Sequence, residues 1–213
     1  MCGRYVIYDQ LTKGGVELLG HSFPAHFNIA PTASAPIIRL DAQTNEQECV
    51  LARWGLVPSW AKSLKIPPFF NARADKLNGN KVFGAVIDQR CLVPMTGFYE
   101  WSEHDKQPYY IHLAPERLFY VAGLWNRWQD DSGNLIDSFS VITTRSNKTL
   151  ADIHHRMPVI LDAGAQDKWL NEPIEAANEV LLPSLAEMDK HKVQAKFVNN
   201  ARNNTAQCLE VFR

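Results

Sequence analysis

The 213-residue chain has little of what marks membrane, zinc-binding or disulfide-stabilised proteins. No apolar run approaches the roughly 18 residues of a membrane-spanning helix, and with only Met1 before Cys2 we expect no apolar targeting segment. Its four cysteines are scattered, and none forms a Cys-x-x-Cys pair. The sequence therefore argues against a zinc cluster and a disulfide framework, and it favours a reducing, cytoplasmic location.

Net charge is equally low, at −1 from 22 basic and 23 acidic residues. A chain with so small a total charge does not attract nucleic acid through its whole surface, so a phosphate-binding surface would have to be local. The sequence shows no internal repeat, linker or low-complexity segment, and its apolar content of 46% is ordinary for a globular protein. We expect a single domain over residues 1–213.

Short apolar runs separated by turn-forming residues predict a chain rich in strands. The expected strands are 4–8, 35–40, 49–54, 91–94, 98–102, 109–113, 118–125, 138–144, 157–161 and 193–198. The segments with helical patterns are 72–88 in two pieces, 165–170 and 174–182. A long proline-containing loop is expected over 55–71. The pattern predicts an α+β fold whose mostly antiparallel or mixed sheet forms a barrel-like core flanked by short helices.

The chain begins Met1-Cys2-Gly3-Arg4, which puts a cysteine at the N-terminus if Met1 is removed. Cys2 would then carry an α-amine and a thiol on adjacent carbons. Their ordinary pKa values are about 7.7–8.0 and about 8.5, so both nucleophiles are partly active near neutral pH. Such a 1,2-aminothiol converts an aldehyde first into an imine and then into a five-membered thiazolidine. The alternative is a structural thiol, buried by the strand that follows.

Residues 53–90 carry seven Lys or Arg against two Asp, a local balance of +5 in a chain of net charge −1. Aromatic residues are interleaved with these cations, as in proteins that bind single-stranded nucleic acid through phosphate contacts and base stacking. Trp60, in the proline-containing loop beside Lys62, is the candidate for an exposed stacking platform. Trp54, in a predicted strand, is instead expected in the core, and the lysines are alternatively a solvated face.

Three further segments contain side chains suited to catalysis. Asn71 and Arg73 close the long loop with an amide and a phosphate-binding guanidinium. Glu100 lies between bulky rings in a predicted strand, where burial would raise its pKa and make it a usable acid or base; an outward-facing glutamate is the alternative. His154 and His155 are adjacent. Since neighbouring residues of a strand point to opposite faces, only one is expected at a given site, and a metal pair is not expected.

Six short motifs occur in order along the chain. They are Met-Cys-Gly-Arg (1–4), Phe-Asn-Ile-Ala-Pro (27–31), Trp-Gly-Leu-Val-Pro-Ser-Trp (54–60), Asn-Ala-Arg (71–73), Gly-Phe-Tyr-Glu-Trp (97–101) and Asp-Ile-His-His-Arg-Met-Pro (152–158). In residue type and spacing the set resembles the SRAP family (SOS response-associated peptidase) over nearly the whole chain. The resemblance implies a protein that binds single-stranded DNA containing abasic sites.

The resemblance also implies a catalytic set. After loss of Met1, Cys2 would attack the ring-opened deoxyribose aldehyde of an abasic site and end as a thiazolidine cross-link that shields the site. Asn71 would position the α-amine of Cys2, and Glu100 would orient the sugar and move protons. His154 would promote opening of the sugar and assist reversal of the cross-link. The family name further implies thiol peptidase activity in an autocatalytic removal of Met1.

A DNA-binding set around the lesion is implied in the same way. Its members would be Arg4, Arg73 and Arg156 for phosphates, Trp60 for stacking on a flanking base, and Pro31 and Thr143 for lining the cleft. The resemblance implies no cofactor, no metal and no membrane. The protein would be a monomer, associated with the nucleoid when bound to DNA, with replication or repair proteins as partners.

Two positions depart from the family pattern. Ala61 replaces a second loop tryptophan, which reduces the stacking surface, and His155 replaces an acidic residue between the histidine and the arginine. The similarity weakens towards the C-terminus, where Arg202 is the one further candidate. Two other functions share part of the pattern. Glutamine amidotransferases also begin Met-Cys-Gly and use Cys2 as a thiolate, whereas a non-catalytic single-strand DNA-binding module would need no Cys2 chemistry.

Overall fold

The computed structural model describes residues 2–212 of the chain. Its strands are β1 (Arg4–Ile7), β2 (Val16–Leu18), β3 (His21–Phe23), β4 (His26–Ile29), β5 (Ser34–Leu40), β6 (Gln47–Trp54), β7 (Asn71–Arg73), β8 (Arg90–Met95), β9 (Gly97–Trp101), β10 (Pro108–Leu113), β11 (Phe119–Gln129), β12 (Leu135–Arg145), β13 (Arg156–Pro158), β14 (Ile160–Leu161) and β15 (Met188–Lys192). The helices are α1 (Ala163–Asn171), α2 (Ile174–Ala177) and α3 (Ala195–Val198). None of these helices combines the length and the apolar character that crossing a bilayer requires.

Five strands close into a barrel at the centre of the fold. Their order is β12-β6-β5-β8-β11, and β11 pairs back onto β12. The pairings are antiparallel except that of β6 with β12, where Arg53 lies opposite Ser138 in parallel register. The short strands β7, β13 and β14 extend this sheet at β12 and β11. The predicted α+β class, with mostly antiparallel sheet, short helices and a barrel-like core, is confirmed.

The β5–β6 hairpin shows how local sequence builds the barrel. Residues 35–39 of β5 are buried on both faces, and the strand is paired along both edges, with β6 and with β8. The turn after β5 is closed by Asp41, whose carboxylate accepts the backbone N–H groups of Gln43 and Thr44, each at 2.9 Å. Aspartate favours such turns because its short side chain bonds to the backbone a few residues ahead.

A second sheet contains the N-terminal strand. Its order is β15-β10-β9-β1-β4, and all its pairings are antiparallel. Within it, Tyr5 of β1 lies opposite Ile29 of β4 on one side and Phe98 of β9 on the other. Because β1 is paired on both sides, the residues next to the N-terminus are fixed in the sheet and do not fray.

Trp54 joins the two sheets. Its ring is fully buried, lies 5.0 Å from the ring of Tyr5 in the second sheet, and stacks at 6.4 Å on Phe139 of the barrel. The indole N–H donates to the carbonyl of Phe70 at 2.9 Å, so its polar atom is satisfied inside the core. The interpretation of Trp54 as a core residue is confirmed.

Two segments differ from the sequence prediction. Residues 72–88 contain two isolated 3₁₀ turns, Ala74–Lys76 and Gly84–Val86, because Gly79 takes a positive φ of 77° between them. The strand predicted over 193–198 is wrong, since β15 ends at Lys192 and α3 occupies Ala195–Val198. Val193 still forms an antiparallel bridge with Val211, and the chain then turns into α3, so that Val193 and Val198 are buried in one cluster against which Phe197 packs.

Gly97 of β9 approaches Tyr110 of β10 so closely that a side chain does not fit. A Cβ atom at position 97 would lie 2.4 Å from Cε2 of Tyr110, and that ring is buried. We predict that Gly97→Ala lowers the free energy of unfolding by about 1–3 kcal/mol, because the core would have to shift. Denaturant unfolding followed by circular dichroism measures this change.

The matched control is Gly164→Ala in the first turn of α1. A Cβ there meets only Asp162 Oδ1, at an ordinary 3.7 Å. This variant should be neutral or more stable by about 0.5–1 kcal/mol, since alanine favours a helix over glycine. A Gly97→Ala protein as stable as the wild type would contradict the packing described for β9 and β10.

A candidate catalytic site around Cys2

Cys2 lies immediately before β1 and is completely buried. Burial raises the pKa of its thiol well above the ordinary value, and the negative charge of Glu100 raises it further. The Sγ atom lies 3.7 Å from the carbonyl oxygen of Arg4, to which the thiol can donate. The thiol is therefore held in its protonated form, and it needs a base before it can act as a nucleophile.

Asn71 reaches Cys2 from the other sheet. It opens β7, which runs parallel to β12 with Asn71 opposite Val141. Its side-chain amide donates to the backbone carbonyl of Cys2 at 2.7 Å. The contact joins residues 69 positions apart and fixes the backbone of Cys2 relative to the barrel.

Glu100 is the acidic side chain next to Cys2. It lies in β9, retains 4% of its surface exposed, and accepts the backbone N–H of Trp101 at 3.3 Å. Burial is the main cause that raises the pKa of its carboxyl group. Of the two interpretations open at the sequence level, the structure favours the buried carboxyl, which can take up and return protons nearer to neutral pH than an exposed glutamate.

His154 and His155 do not point to opposite faces, which corrects the expectation from strand geometry. Strand β13 begins only at Arg156, so both histidines precede it, and their rings stack with centroids 4.4 Å apart. Both rings contact the carboxylate of Glu103: His154 Nε2 lies 3.4 Å from Oε1, and His155 Nδ1 is in direct contact with the same atom. The turn that precedes β13 therefore brings the two imidazoles together.

The protonation of His154 follows from its backbone contact. Its Nδ1 accepts the N–H of Arg156 at 2.9 Å, so the neutral ring carries its proton on Nε2. Burial, with a contribution from His155, lowers the pKa of His154 to about 4, and the ring is neutral at pH 7. Its Nε2–H is then a hydrogen-bond donor beside Glu103.

Among the described residues, Glu103, His154 and His155 form the group that could hold a metal ion, with ligand atoms within 4.8 Å of one another. Two imidazoles and a carboxylate are a ligand set that zinc accepts. Binding through His154 Nε2 would require the proton to move to Nδ1, where it would face the N–H of Arg156. The hydrogen bonding of His154 therefore opposes metal binding at this group.

Arg156 and Arg73 lie together beside the histidines. The Arg156 guanidinium is buried on Thr143, with Nη2 donating to the Thr143 hydroxyl at 2.9 Å, and its Nη1 lies 3.5 Å from Asp75. Arg73 is more exposed and pairs with the same Asp75 through Nε at 3.1 Å. These contacts lower the pKa of Asp75 to about 2, chiefly through the hydrogen bond from Arg73. Thr143 is fully buried and acts here as a support for Arg156.

Arg4 is engaged with the C-terminal segment. Its guanidinium donates to the carbonyls of Val198 at 2.5 Å and Asn199 at 3.3 Å, and to the side-chain carbonyl of Asn28 at 3.0 Å. Asn28 itself donates to the carbonyls of Val198 and Asn200, so strands β1 and β4 hold this segment from two sides. Pro31, which follows β4, is half-buried.

Trp60 lies in the loop after β6 and is 61% exposed. That loop is held by the Trp128 indole N–H, which donates to the carbonyl of Ala61 at 2.7 Å. Ala61 is buried against Trp128, so the position of the absent second tryptophan faces the protein and not the solvent.

The family model for SOS response associated peptidase (SRAP) matches residues 1–205. The chain belongs to the SRAP family. The resemblance carried by the six motifs is thereby confirmed.

Two similar proteins are named for the processing of abasic sites. Abasic site processing protein YoqW of Bacillus subtilis (strain 168) is 33% identical over 226 residues, which cover 99% of each chain. Abasic site processing protein HMCES of Xenopus tropicalis is 32% identical, over 86% of this chain and 65% of that protein. A crystal structure of a protein from Bacteroides thetaiotaomicron is 30% identical and has a TM-score of 0.76, covering 88% of this chain and 86% of the other.

Several residues around this SRAP site were missed at the sequence level. Glu103 orients both histidines, Asp75 neutralises Arg73 and Arg156, and Asn28 holds the C-terminal segment. Asn28 lies in the Phe-Asn-Ile-Ala-Pro motif and Glu103 follows Gly-Phe-Tyr-Glu-Trp by two residues, so proximity to a motif was a usable signal. The sequence signal for Asp75 was weaker: it is one of two acidic residues in the basic segment 53–90.

The charge of Glu100 should control the reactivity of Cys2. We predict that Glu100→Gln lowers the pKa of the Cys2 thiol, because the neutral amide no longer repels the thiolate. Alkylation of Cys2 by iodoacetamide at a fixed pH should then be about 3- to 10-fold faster, corresponding to about 0.5–1 pKa unit. Mass spectrometry of the Cys2 peptide measures the rate.

Glu103→Gln is the matched control, since Glu103 contacts the histidines. Its alkylation rate should stay within about twofold of the wild type. Equal rates for Glu100→Gln and the wild type would show that the carboxylate of Glu100 does not act on the thiol.

Proposed function

We propose that the protein forms a covalent cross-link with abasic sites in single-stranded DNA through Cys2, after removal of Met1. Two contacts of Cys2 carry the proposal. Asn71 donates to its backbone carbonyl at 2.7 Å, and the charge of the buried Glu100 acts on its thiol. The names of the similar proteins, which describe abasic site processing, support the substrate class. The cross-link would shield the lesion during replication or repair.

The proposed reaction proceeds in two covalent stages. The free α-amine of Cys2 adds to C1 of the ring-opened sugar aldehyde, and the resulting carbinolamine loses water to give an imine. The Cys2 thiol then adds to the imine carbon, its proton passes to the nitrogen, and the five-membered thiazolidine closes. One water leaves in total. Only the processed terminus supports this sequence, because Met1 occupies the Cys2 nitrogen as an amide.

Asn71 and Glu100 have separate roles in this proposal. Asn71 holds the Cys2 backbone through its carbonyl, which restricts the direction from which the adjacent amine can attack. Glu100 takes the proton from the attacking amine and returns it to the departing hydroxyl group. A carboxyl group whose pKa is raised by burial suits both steps better than an exposed glutamate, whose pKa lies further below neutral pH.

His154 is proposed to promote opening of the sugar ring. With its Nδ1 occupied by the Arg156 N–H, the neutral ring acts through the Nε2–H group. A neutral imidazole can polarise an oxygen atom by donating a hydrogen bond, and triosephosphate isomerase uses a histidine of lowered pKa in this way. Glu103 would hold the ring in place until the sugar arrives.

The DNA strand would follow the exposed cations beside this site. Arg73 is exposed enough to exchange Asp75 for a phosphate, and Arg156 would reach the DNA from its support on Thr143. Trp60 offers an exposed ring on which a flanking base could stack. Arg4 and Pro31 would line the DNA-binding cleft on the side of β4. Autocatalytic removal of Met1, as the family description SOS response associated peptidase suggests, would prepare the nucleophile.

The test is adduct formation with a single-stranded oligonucleotide that carries one abasic site. Wild-type protein without Met1 should give a band that survives denaturation, and Cys2→Ala should give none. Cys49→Ala is the matched control, because Cys49 is also a buried free thiol but lies in β6 of the barrel. It should form the adduct at the wild-type rate.

Three outcomes would count against the proposal. Absence of an adduct with the wild type would refute the cross-linking function. A stable adduct with Cys2→Ala would refute the thiazolidine. Hydrolysis of glutamine by the same sample, without an adduct, would favour an amidotransferase-like activity instead.

A further inference from the structure

A cavity of about 720 Å³ opens next to the His154–His155 pair. Its size lies within the roughly 300–1,000 Å³ that is typical of ligand pockets. The walls come from β12, from the segment after β7 and from the residues that follow α2. Of the residues assigned roles above, Arg73 and Arg156 reach this space, whereas Arg145 and Leu182 have no role so far.

The cavity is connected to the proposed lesion site through His155. This residue lines the cavity, is exposed, and stacks at 4.4 Å on His154. Arg73 and Arg156 line the same cavity and are bridged by Asp75. A strand of DNA whose abasic sugar reaches His154 therefore has this cavity as a neighbour.

Charge on one wall of the cavity suits a phosphate group. Arg145 ends β12, lies opposite Arg156 in the β12–β13 register, and is exposed. Together with Arg73 and Arg156 it places three guanidinium groups against the single carboxylate of Asp75 in the lining. Arginine binds phosphate in a bidentate manner, so the excess of positive charge favours an anionic occupant.

Another part of the lining is apolar. It consists of Leu181, Leu182 and Pro183, and Leu182 is 61% exposed. An exposed leucine next to a proline offers a flat apolar surface, and the His155 ring offers an aromatic one. Nucleobases pack on surfaces of this kind without regard to sequence.

We propose that this cavity is a subsite for the nucleotide adjacent to the abasic site, with its phosphate on Arg145 and Arg73 and its base against Leu182 and Pro183. The inference rests on the proposed function, since the occupant is a neighbour of the lesion in the same strand. A nucleotide matches both parts of the lining, because it has an anionic and a flat apolar part. Arg145 and Leu182 become binding residues of the site.

The test measures binding apart from cross-linking. A fluorescent oligonucleotide with a tetrahydrofuran analogue of the abasic sugar has no aldehyde, so anisotropy reports non-covalent affinity. Three oligonucleotides are needed: one extending on both sides of the analogue, and two ending at it on either side. Affinities are measured between low and moderate salt for the wild type, Arg145→Ala and Leu182→Ala.

Arg145→Ala should weaken binding of the full oligonucleotide by about 5- to 10-fold at low salt and reduce the slope of log K against log salt by about 1, as for the loss of one phosphate contact. Leu182→Ala should weaken binding by about threefold or more without changing the slope, because it removes stacking and no charge. Both effects should vanish with the oligonucleotide that lacks the nucleotide of the subsite.

Arg127→Ala is the control for loss of one arginine. Arg127 pairs with Asp137, eight residues before Arg145 on β12 and roughly 26 Å along the strand. Its affinities should stay within about twofold of the wild type.

Two outcomes would overturn the subsite. One is an Arg145→Ala protein with the affinity and salt slope of the wild type, and the other is an equal loss of affinity for all three oligonucleotides. Failure of the proposed function is distinguishable from both. In that case a reactive abasic oligonucleotide gives no covalent adduct with the wild type, whatever the affinities for the analogue.

Discussion

The structure depends on the pairing of β1 with strands on both sides. Tyr5 is opposite Ile29 and Phe98 at once, so the chain enters the sheet within a few residues of its start. The segment that contains Cys2 is therefore held in place, and Cys2 stays buried beside Glu100 and within reach of Asn71. In the proposed reaction the sheet would position Cys2, while Asn71 connects its backbone carbonyl to the barrel.

Burial around the terminus favours uncharged groups. It raises the pKa of the Cys2 thiol and of the Glu100 carboxyl, and it lowers that of His154 to about 4. The cations lie outside this cluster, where Arg73 and Arg156 share Asp75. The arrangement would separate the two requirements of the proposed reaction on DNA. Protons would move in a region with little charge, while phosphates would be attracted to guanidinium groups outside it.

Local patterns predicted most strands, because short apolar runs and turn-forming residues can be recognised within a few positions of the chain. They predicted β1 and the core position of Trp54, and family motifs pointed to Cys2 and Glu100. The pairing of β11 with β12 was predicted as a hairpin, but the parallel pairing of β6 with β12 was not, since it joins Arg53 to Ser138, far apart in the chain. The stacking of His154 on His155 was missed because strand alternation was applied to both residues, whereas both precede β13, which begins at Arg156. Glu103 and Asp75 act through contacts that no local spacing specifies.

The central claim is that Cys2 reacts through its amine and its thiol together. The most direct measurement is the intact mass of the denatured adduct between the protein and an abasic oligonucleotide. The account predicts the mass of the chain without Met1 plus that of the oligonucleotide minus one water, unchanged after treatment with borohydride because no imine remains. An adduct that retains Met1, or one that gains two hydrogen atoms from borohydride, would contradict the thiazolidine and with it the proposed role of the N-terminal cysteine.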